Sequence, residues 1–297
     1  PFVNRRSLRI GAIQADSLDF HVNDYSILTS VYGVRIDGII GYSLLSRYVI
    51  AIDYEQEQMN WYATDSYQYP KRGFRMKLEM DRLPHYPAMV QDQGLGHPHF
   101  LIDFGAGLNV LFSKRYAQEA GVLDKERKRW IKSGEGIGGR IDMELTTLKQ
   151  LRIGPYKFRW VPVNVFEDNY NVTNYSNWAG LIGNDIFRRF NIVLNYPAKE
   201  MHLLPNRFFA EPFDYSYSGL ELYLIGNKIR VGYLSPSSPA SESGLKVGDE
   251  VIAVNKNFSG ILNEYKLELQ RAGERVRIIY RRDEKIGELE FRVLRIR

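Results

Sequence analysis

The segment HFLIDFGAGLNVLF, His99 to Phe112, carries an apolar strand-like stretch into Asp103, follows it with Phe104, Gly105 and Ala106, and then resumes apolar. A carboxylate at the end of a buried strand, with glycine two residues on, can accept hydrogen bonds from backbone amides and be held rigid. Further along, GEGIGGR, Gly134 to Arg140, reads as a glycine-rich hairpin tip. Other chemistries spelled by the same letters lack their companions. Asp103-Phe104-Gly105 is not accompanied by HRD, a phosphate loop or APE, so a kinase magnesium site is excluded. GEGIGGR lacks the following helix and downstream acid of a dinucleotide loop. His97 and His99 flank Pro98 with no third ligand at metal-site spacing; they read as loop histidines, and no metal or organic cofactor is expected.

The elements that position these residues come from an internal repeat. DGIIGYSLLSRYVIAIDYEQEQMNWY, Asp37 to Tyr62, aligns without a gap with AGLIGNDIFRRFNIVLNYPAKEMHLL, Ala179 to Leu204, at an offset of 142. Gly38 matches Gly180, Ile40 Ile182, Gly41 Gly183, Arg47 Arg189, Ile50 Ile192, Tyr54 Tyr196 and Met59 Met201. Upstream, LRIG recurs at Leu8 to Gly11 and Leu151 to Gly154. Each copy reads strand, turn, strand, short helix, strand, and alternation in VPVNVF and IVLNY suits half-buried strands. Elsewhere in the lobe KRYAQEAGVL, Lys114 to Leu123, predicts a helix. Asp37 and Asp185 flank the glycine blocks at unmatched positions, and neither occupies the slot of Asp103.

Composition narrows the function classes. Hydrophobic residues are 44% and charged ones 25% of 297, the balance of a globular protein, and the length predicts two or three domains. The net charge of +5 is thinly spread; its densest knot, Asp124 to Lys132, reads as a solvated face, and no nucleic acid is expected as a partner. With no cysteine, thiolate nucleophiles and disulfide frameworks are excluded. No apolar run is long enough for a membrane span. Composition shifts divide the chain into residues 1–66, 74–205 and 218–297.

Order and spacing of the motifs resemble the retropepsin-like and pepsin-like aspartic proteases. The matching elements are Asp103 to Ala106 for the catalytic loop, Gly136, Ile137, Gly138 and Gly139 for the flap, Leu151 to Gly154 for a hairpin, and Leu181, Ile182 and Gly183 for the ψ loop. The resemblance implies a mostly β, two-lobed aspartic-protease-like β-barrel whose first lobe is incomplete in 1–66 and whose second is 74–205. It implies peptide-bond hydrolysis of a peptide or protein substrate by two aspartates, one per lobe, sharing a proton around one water. Asp103 precedes Gly183 by 80 residues, which predicts its counterpart upstream of Pro1. Phe104 stands where the family places Thr or Ser, whose hydroxyl braces the paired loops.

The tail resembles bacterial PDZ domains, a β-sandwich with two helices, through SGLEL (Ser218 to Leu222), SPSSPASESGLKVGDEVIAVN (Ser235 to Asn255) and a helix over Ile261 to Ala272. The resemblance implies capture of a peptide C-terminus by amides around Gly219, Leu220, Glu221 and Leu222, with Leu220, Leu222 and Ile261 shaping the pocket. Two functions follow: an aspartic endopeptidase with a PDZ domain for substrate or partner recognition, or a catalytically inactive peptide-binding protein that keeps the cleft. The family association favours export to a bacterial periplasm or cell envelope.

Overall fold

The computed structural model describes residues 1–80, 83–136, 139–167 and 178–297. The first copy holds the strands β1 (Phe2–Ile10) and β2 (Ile13–His21), the helix α1 (Ser26–Tyr32), the single turn α2 (Tyr42–Leu45), and the strands β3 (Val49–Asp53) and β4 (Gln58–Tyr62). The second copy begins with five short strands, β5 (Phe74–Lys77), β6 (Glu79–Met80), β7 (Pro84–Pro87), β8 (Met89–Gln91) and β9 (Leu95–Gly96). It continues through β10 (His99–Asp103), β11 (Val110–Ser113), α3 (Lys114–Glu119), β12 (Trp130–Gly136), β13 (Gly139–Ile153) and β14 (Tyr156–Phe166). It closes with β15 (Trp178–Gly183), the turn α4 (Asn184–Phe187), β16 (Phe190–Asn195) and β17 (Glu200–Pro205). After a 3-10 turn, Arg207–Ala210, the tail folds as β18 (Ser216–Tyr217), β19 (Leu220–Ile225), β20 (Lys228–Leu234), α5 (Pro239–Glu242) and β21 (Glu250–Val254). Its last elements are α6 (Leu262–Glu268), β22 (Arg275–Arg282), β23 (Lys285–Arg292) and β24 (Leu294–Arg295).

The chain is mostly β, as the alternating apolar patterns require. Both LRIG motifs end in hairpin turns with a left-handed glycine, Gly11 between β1 and β2 and Gly154 between β13 and β14. The predicted helix over Lys114 to Leu123 is shorter than expected. Ser113 Oγ caps it by accepting from the Tyr116 amide, and it stops at Glu119 because Val122 and Leu123 are drawn into the core. The tail helix likewise spans Leu262–Glu268, with Leu262, Tyr265 and Leu269 turned inward.

Strands of the second copy build a ten-stranded sheet in the order β6-β7-β10-β15-β11-β14-β13-β8-β9, with β12 added on β13. Phe100, Ile102, Val110, Phe112, Val163 and Ile182 from its central strands fill one core. A second sheet, β4-β3-β16-β17-β5, joins the copies. β3 and β16 run antiparallel with Ala51 opposite Val193, Ile50 opposite Leu194 and Ile52 opposite Ile192. Ala51 and Val193 are related by the offset of 142, and the flanking pairs exchange under it, so a pseudo-two-fold axis passes through that pair. The tail is a five-stranded sheet, β19-β20-β21-β22-β23, with its own core of Leu222, Val231, Val254, Tyr265 and Ile278.

The repeat is not reproduced throughout. Gly180 to Gly183 lie in β15, held between β10 and β11, whereas their matches Gly38 to Gly41 form no strand. Leu181 and Ile182 are 7% and 0% exposed, while Ile39 and Ile40 are 55% and 46% exposed. The physical reason is pairing: among the described residues, no strands stand beside 38–41 as β10 and β11 stand beside β15.

Candidate active site

Asp103 is the last residue of β10, and its register partner in the parallel neighbour β15 is Gly183. The loop 104–109 is pinned to the end of β15 by backbone hydrogen bonds. Gly183 N–H donates to the Asn109 carbonyl (2.9 Å), Asn184 N–H to Ala106 (2.8 Å) and Asp185 N–H to Leu108 (3.2 Å). Gly183 permits this approach, because a Cβ there would stand 2.3 Å from the Leu108 oxygen and 2.6 Å from that of Ala106. Gly180, at φ +149°, is closer still, with a Cβ falling 1.8 Å from the Leu111 oxygen. Only glycine fits either place. Within this frame Gly105 N–H donates to Asp103 Oδ1 at 2.8 Å, which holds the half-buried carboxylate as the sequence pattern implied. Ala106 closes the loop, and Phe104 packs its ring on Phe187 of α4, centroids 5.1 Å apart. The loop is therefore braced by an apolar contact where a hydroxyl was looked for.

Two tyrosines, Tyr32 and Tyr196, stand near the acid, and the sequence assigned neither a role there. Tyr32, at the end of α1, brings its hydroxyl to 3.5 Å from the Gly105 carbonyl. Burial raises its phenol above the ordinary value, and the charge of Asp103 adds to the rise. Tyr196 is pushed up to about 12 by burial, again with Asp103 contributing. It packs edge-on against Tyr42 at 5.5 Å, while its repeat mate Tyr54 donates its hydroxyl to Asn184 Oδ1 at 2.6 Å. Tyr42 and Asn184 are themselves matched by the offset, so these two contacts are pseudo-symmetric. Tyr196 is thereby a protonated hydroxyl at neutral pH, able to donate to an anion or a peptide carbonyl, whereas the protons of Tyr32 and Tyr54 are directed at Gly105 and Asn184. The repeat flagged Tyr54 and Tyr196; nothing local flagged Tyr32.

The expected flap is the hairpin of β12 and β13, paired from Trp130–Leu145 to Gly136–Gly139. Gly136 and Gly139 close its described part, while Ile137 and Gly138 lie outside the described residues. Its flank rests on the tail. Tyr217 donates its hydroxyl to the Ile131 carbonyl (2.7 Å), Tyr223 donates to Glu135 Oε1 (3.1 Å), and the Arg140 guanidinium lies 4.8 Å from the Tyr233 ring centre. Burial, reinforced by the Glu135 carboxylate, drives the Tyr223 phenol strongly upward and keeps it a donor.

At the tail, Gly219 adopts φ +70° and leads into β19, the edge strand of its sheet. Leu220 and Leu222, expected to shape a pocket, turn inward and are buried in the tail core. Ile261 caps α6 from outside and is exposed. Glu221 is half-buried, and burial raises its carboxyl, opposed by the charges of Lys132 and Lys266. The chain's own α1 packs against β19. Lys266 Nζ on α6 donates to the Val31 carbonyl at 2.7 Å, and Gly33 abuts Leu262. The strand edge and helix expected to receive a peptide are thus both in contact with residues 26–33.

Asp37 pairs with Arg35 on the surface, and Asp185 sits in the first turn of α4 with burial raising its carboxyl. His99 corrects the loop reading: it stands in β10, because the stretch after Pro98 pairs with β7, and its neighbour is His85.

Residues 86–186, from β7 to α4, match the family model described as aspartyl protease. No curated protein matches the chain. Among solved structures, a retropepsin-like aspartic protease from Rickettsia conorii is 18% identical, with 46% of this chain and 100% of that one covered at a TM-score of 0.33. An aminopeptidase N family protein from Idiomarina loihiensis is 22% identical over 29% of this chain and 15% of its own, at a TM-score of 0.26. A serine endoprotease from Yersinia pestis is 14% identical over 70% and 93%, at a TM-score of 0.29.

Proposed function

We propose that this chain carries one half of an aspartic endopeptidase centre, in which Asp103 and a second carboxylate grip a water and hydrolyse a peptide bond. The observation that carries the reading is Asp103 fixed by the Gly105 amide, in register with Gly183, inside the segment that matches the aspartyl protease family. Two carboxylates a few ångströms apart do not both ionise cheaply, so the pair shares a proton. The ionised member draws a proton from water while the protonated member donates to the scissile carbonyl, and the proton belongs to the pair. The β12–β13 hairpin would close on the substrate and exclude bulk water. The second carboxylate would come with the polypeptide that pairs beside residues 38–41, where Ile39 and Ile40 stand exposed. The tail would act as a PDZ module, gathering peptides or partners at β19 and α6 when they displace residues 26–33 from that edge.

Phe104 favours a second reading, a peptide-holding cleft without hydrolysis, because its ring is committed to Phe187 and cannot brace a facing loop by hydrogen bonding. Cleavage of a mixed peptide library by the assembled protein, with Asp103→Asn in parallel, separates the two. Asn keeps the Oδ1 acceptor for Gly105, so folding is preserved, and loss of acid–base chemistry should lower turnover by about 10²–10⁴-fold. Equal turnover by both proteins rejects Asp103 as catalytic. Peptide binding without turnover in either establishes the cleft alone.

A further inference from the structure

Three side chains with metal-ligating atoms meet on one face of adjacent strands at the opposite end of β10 from Asp103. Glu79 on β6 lies directly opposite His85 on β7, and His85 lies opposite Leu101, two residues along β10 from His99. The diagonal brings the two imidazoles together, with Nδ1 atoms 3.1 Å apart, and Glu79 Oε2 stands 3.7 Å from His99 Nδ1. The donor atoms of all three lie within 4.8 Å of one another. Ligands about 2.0–2.2 Å from a tetrahedral zinc ion are separated from each other by roughly 3.4 Å. The observed separations bracket that figure. A hydrogen bond between neutral imidazoles would account for the histidine pair alone; the carboxylate converging on the same nitrogen supplies a third vertex.

We propose that Glu79, His85 and His99 form a His₂Glu site for a divalent transition metal of the zinc class. Two imidazole nitrogens and one carboxylate oxygen suit zinc, and three protein ligands leave a fourth position for water. Burial is graded across the site: His85 is 3% exposed with its ring 5.0 Å from that of Trp178, His99 is half-buried, and Glu79 faces solvent. An ion enters from the Glu79 side. A cleft of about 440 Å³ lined by His97, His99, Arg115, Glu119 and Trp178 meets the site at His99. The ion ties the edge hairpin of β6 and β7 to β10, the strand that ends in Asp103, four residues or about 13 Å further on. The site is separate from the proposed hydrolytic centre, and its test does not depend on hydrolysis.

Metal-stripped, tag-free protein is titrated with Zn²⁺ by calorimetry and with Co²⁺ by visible absorption, alongside Glu79→Gln, His99→Gln and His85→Gln. The expected result is one ion per chain, a cobalt spectrum of four-coordinate intensity, and affinity lowered at least tenfold by each substitution. Glu79→Gln and His99→Gln alter side chains that are not buried, so the result does not depend on whether His85→Gln folds. Absence of a cobalt band, or zinc affinity unchanged in both Glu79→Gln and His99→Gln, overturns the site.

Discussion

Replacing Arg189 by methionine should cost the fold about 3–5 kcal/mol, the size expected for emptying a buried hydrogen-bond network. Arg189 is 2% exposed and its guanidinium is spent on backbone carbonyls. Nε donates to Asp185 (3.1 Å), and Nη1 donates to Phe208 (3.1 Å) and Glu211 (2.6 Å), with longer contacts to Phe209 and Pro212. Phe213 stacks over it at 4.2 Å. Three bonds from a charged donor, at roughly 1.5–3 kcal/mol each, set a ceiling of about 5–9 kcal/mol. Glu211 and Pro212 are exposed, and their carbonyls can turn to water, which lowers the cost to the range stated. Methionine retains most of the volume, so the loss is one of polar pairing. The repeat supplies the control. Arg47 occupies the matched position and its Nε makes the same bond four residues back, to Ser43 (3.1 Å), but it is exposed. Arg47→Met should cost under about 1 kcal/mol. Urea unfolding read at constant m gives both values, and trypsin cleavage after the exposed Arg207 should accelerate only in Arg189→Met. If the two variants differ by less than about 1 kcal/mol, the guanidinium does not hold residues 208–212 in place and the reasoning fails.

Gly183→Ala must push the 104–109 loop back by about 1 Å, which should destabilise by about 1–3 kcal/mol and lower an Asp103-dependent rate about a hundredfold. Thermal melting and kcat/KM check it, and wild-type values for both refute it. Burial, with help from Arg75, lowers the His202 imidazole below its ordinary 6.5, so the folded state prefers the neutral ring. Stability should be full above pH 6.5 and decline as pH falls through 6.5 toward the folded value, because the unfolded chain takes up the proton first. His202→Gln should flatten that slope in urea midpoints at about pH 7.5 and about pH 5, and an unchanged slope assigns it to other groups. Gly33→Val places a Cβ 2.8 Å from Leu262 Cβ at φ +70° and should drive α1 off α6. Hydrogen exchange at the amides of Leu220 to Ile225 should then speed by at least about tenfold, and unaltered exchange means α1 does not cover β19.

Strand positions with apolar patterning were readable in advance: VPVNVF lies in β14 and IVLN in β16, both buried on two faces where one had been expected, and both LRIG motifs sit at hairpin turns. So was the placement of Asp103, since strand, acid and glycine are neighbours in the chain and their hydrogen bond is local. The ends of α3 and α6 were misjudged because tertiary packing of Val122, Leu123 and Leu269 overrode helical periodicity. Tyr32, Tyr217 and Tyr223 carried no signal in the sequence, as each reaches its partner across a long stretch of chain.

Sequence alone determined the repeat, the strand pattern and the acid with its glycines, because these depend on side-chain type and on contacts a few residues apart. Tertiary structure decided which strands became neighbours and in what register. The axis through Ala51 and Val193 and the meeting of Glu79, His85 and His99 both follow from register. A slip of one residue in any of those pairings would turn the same side chains to the opposite face, and nothing in their local sequence records which face was chosen.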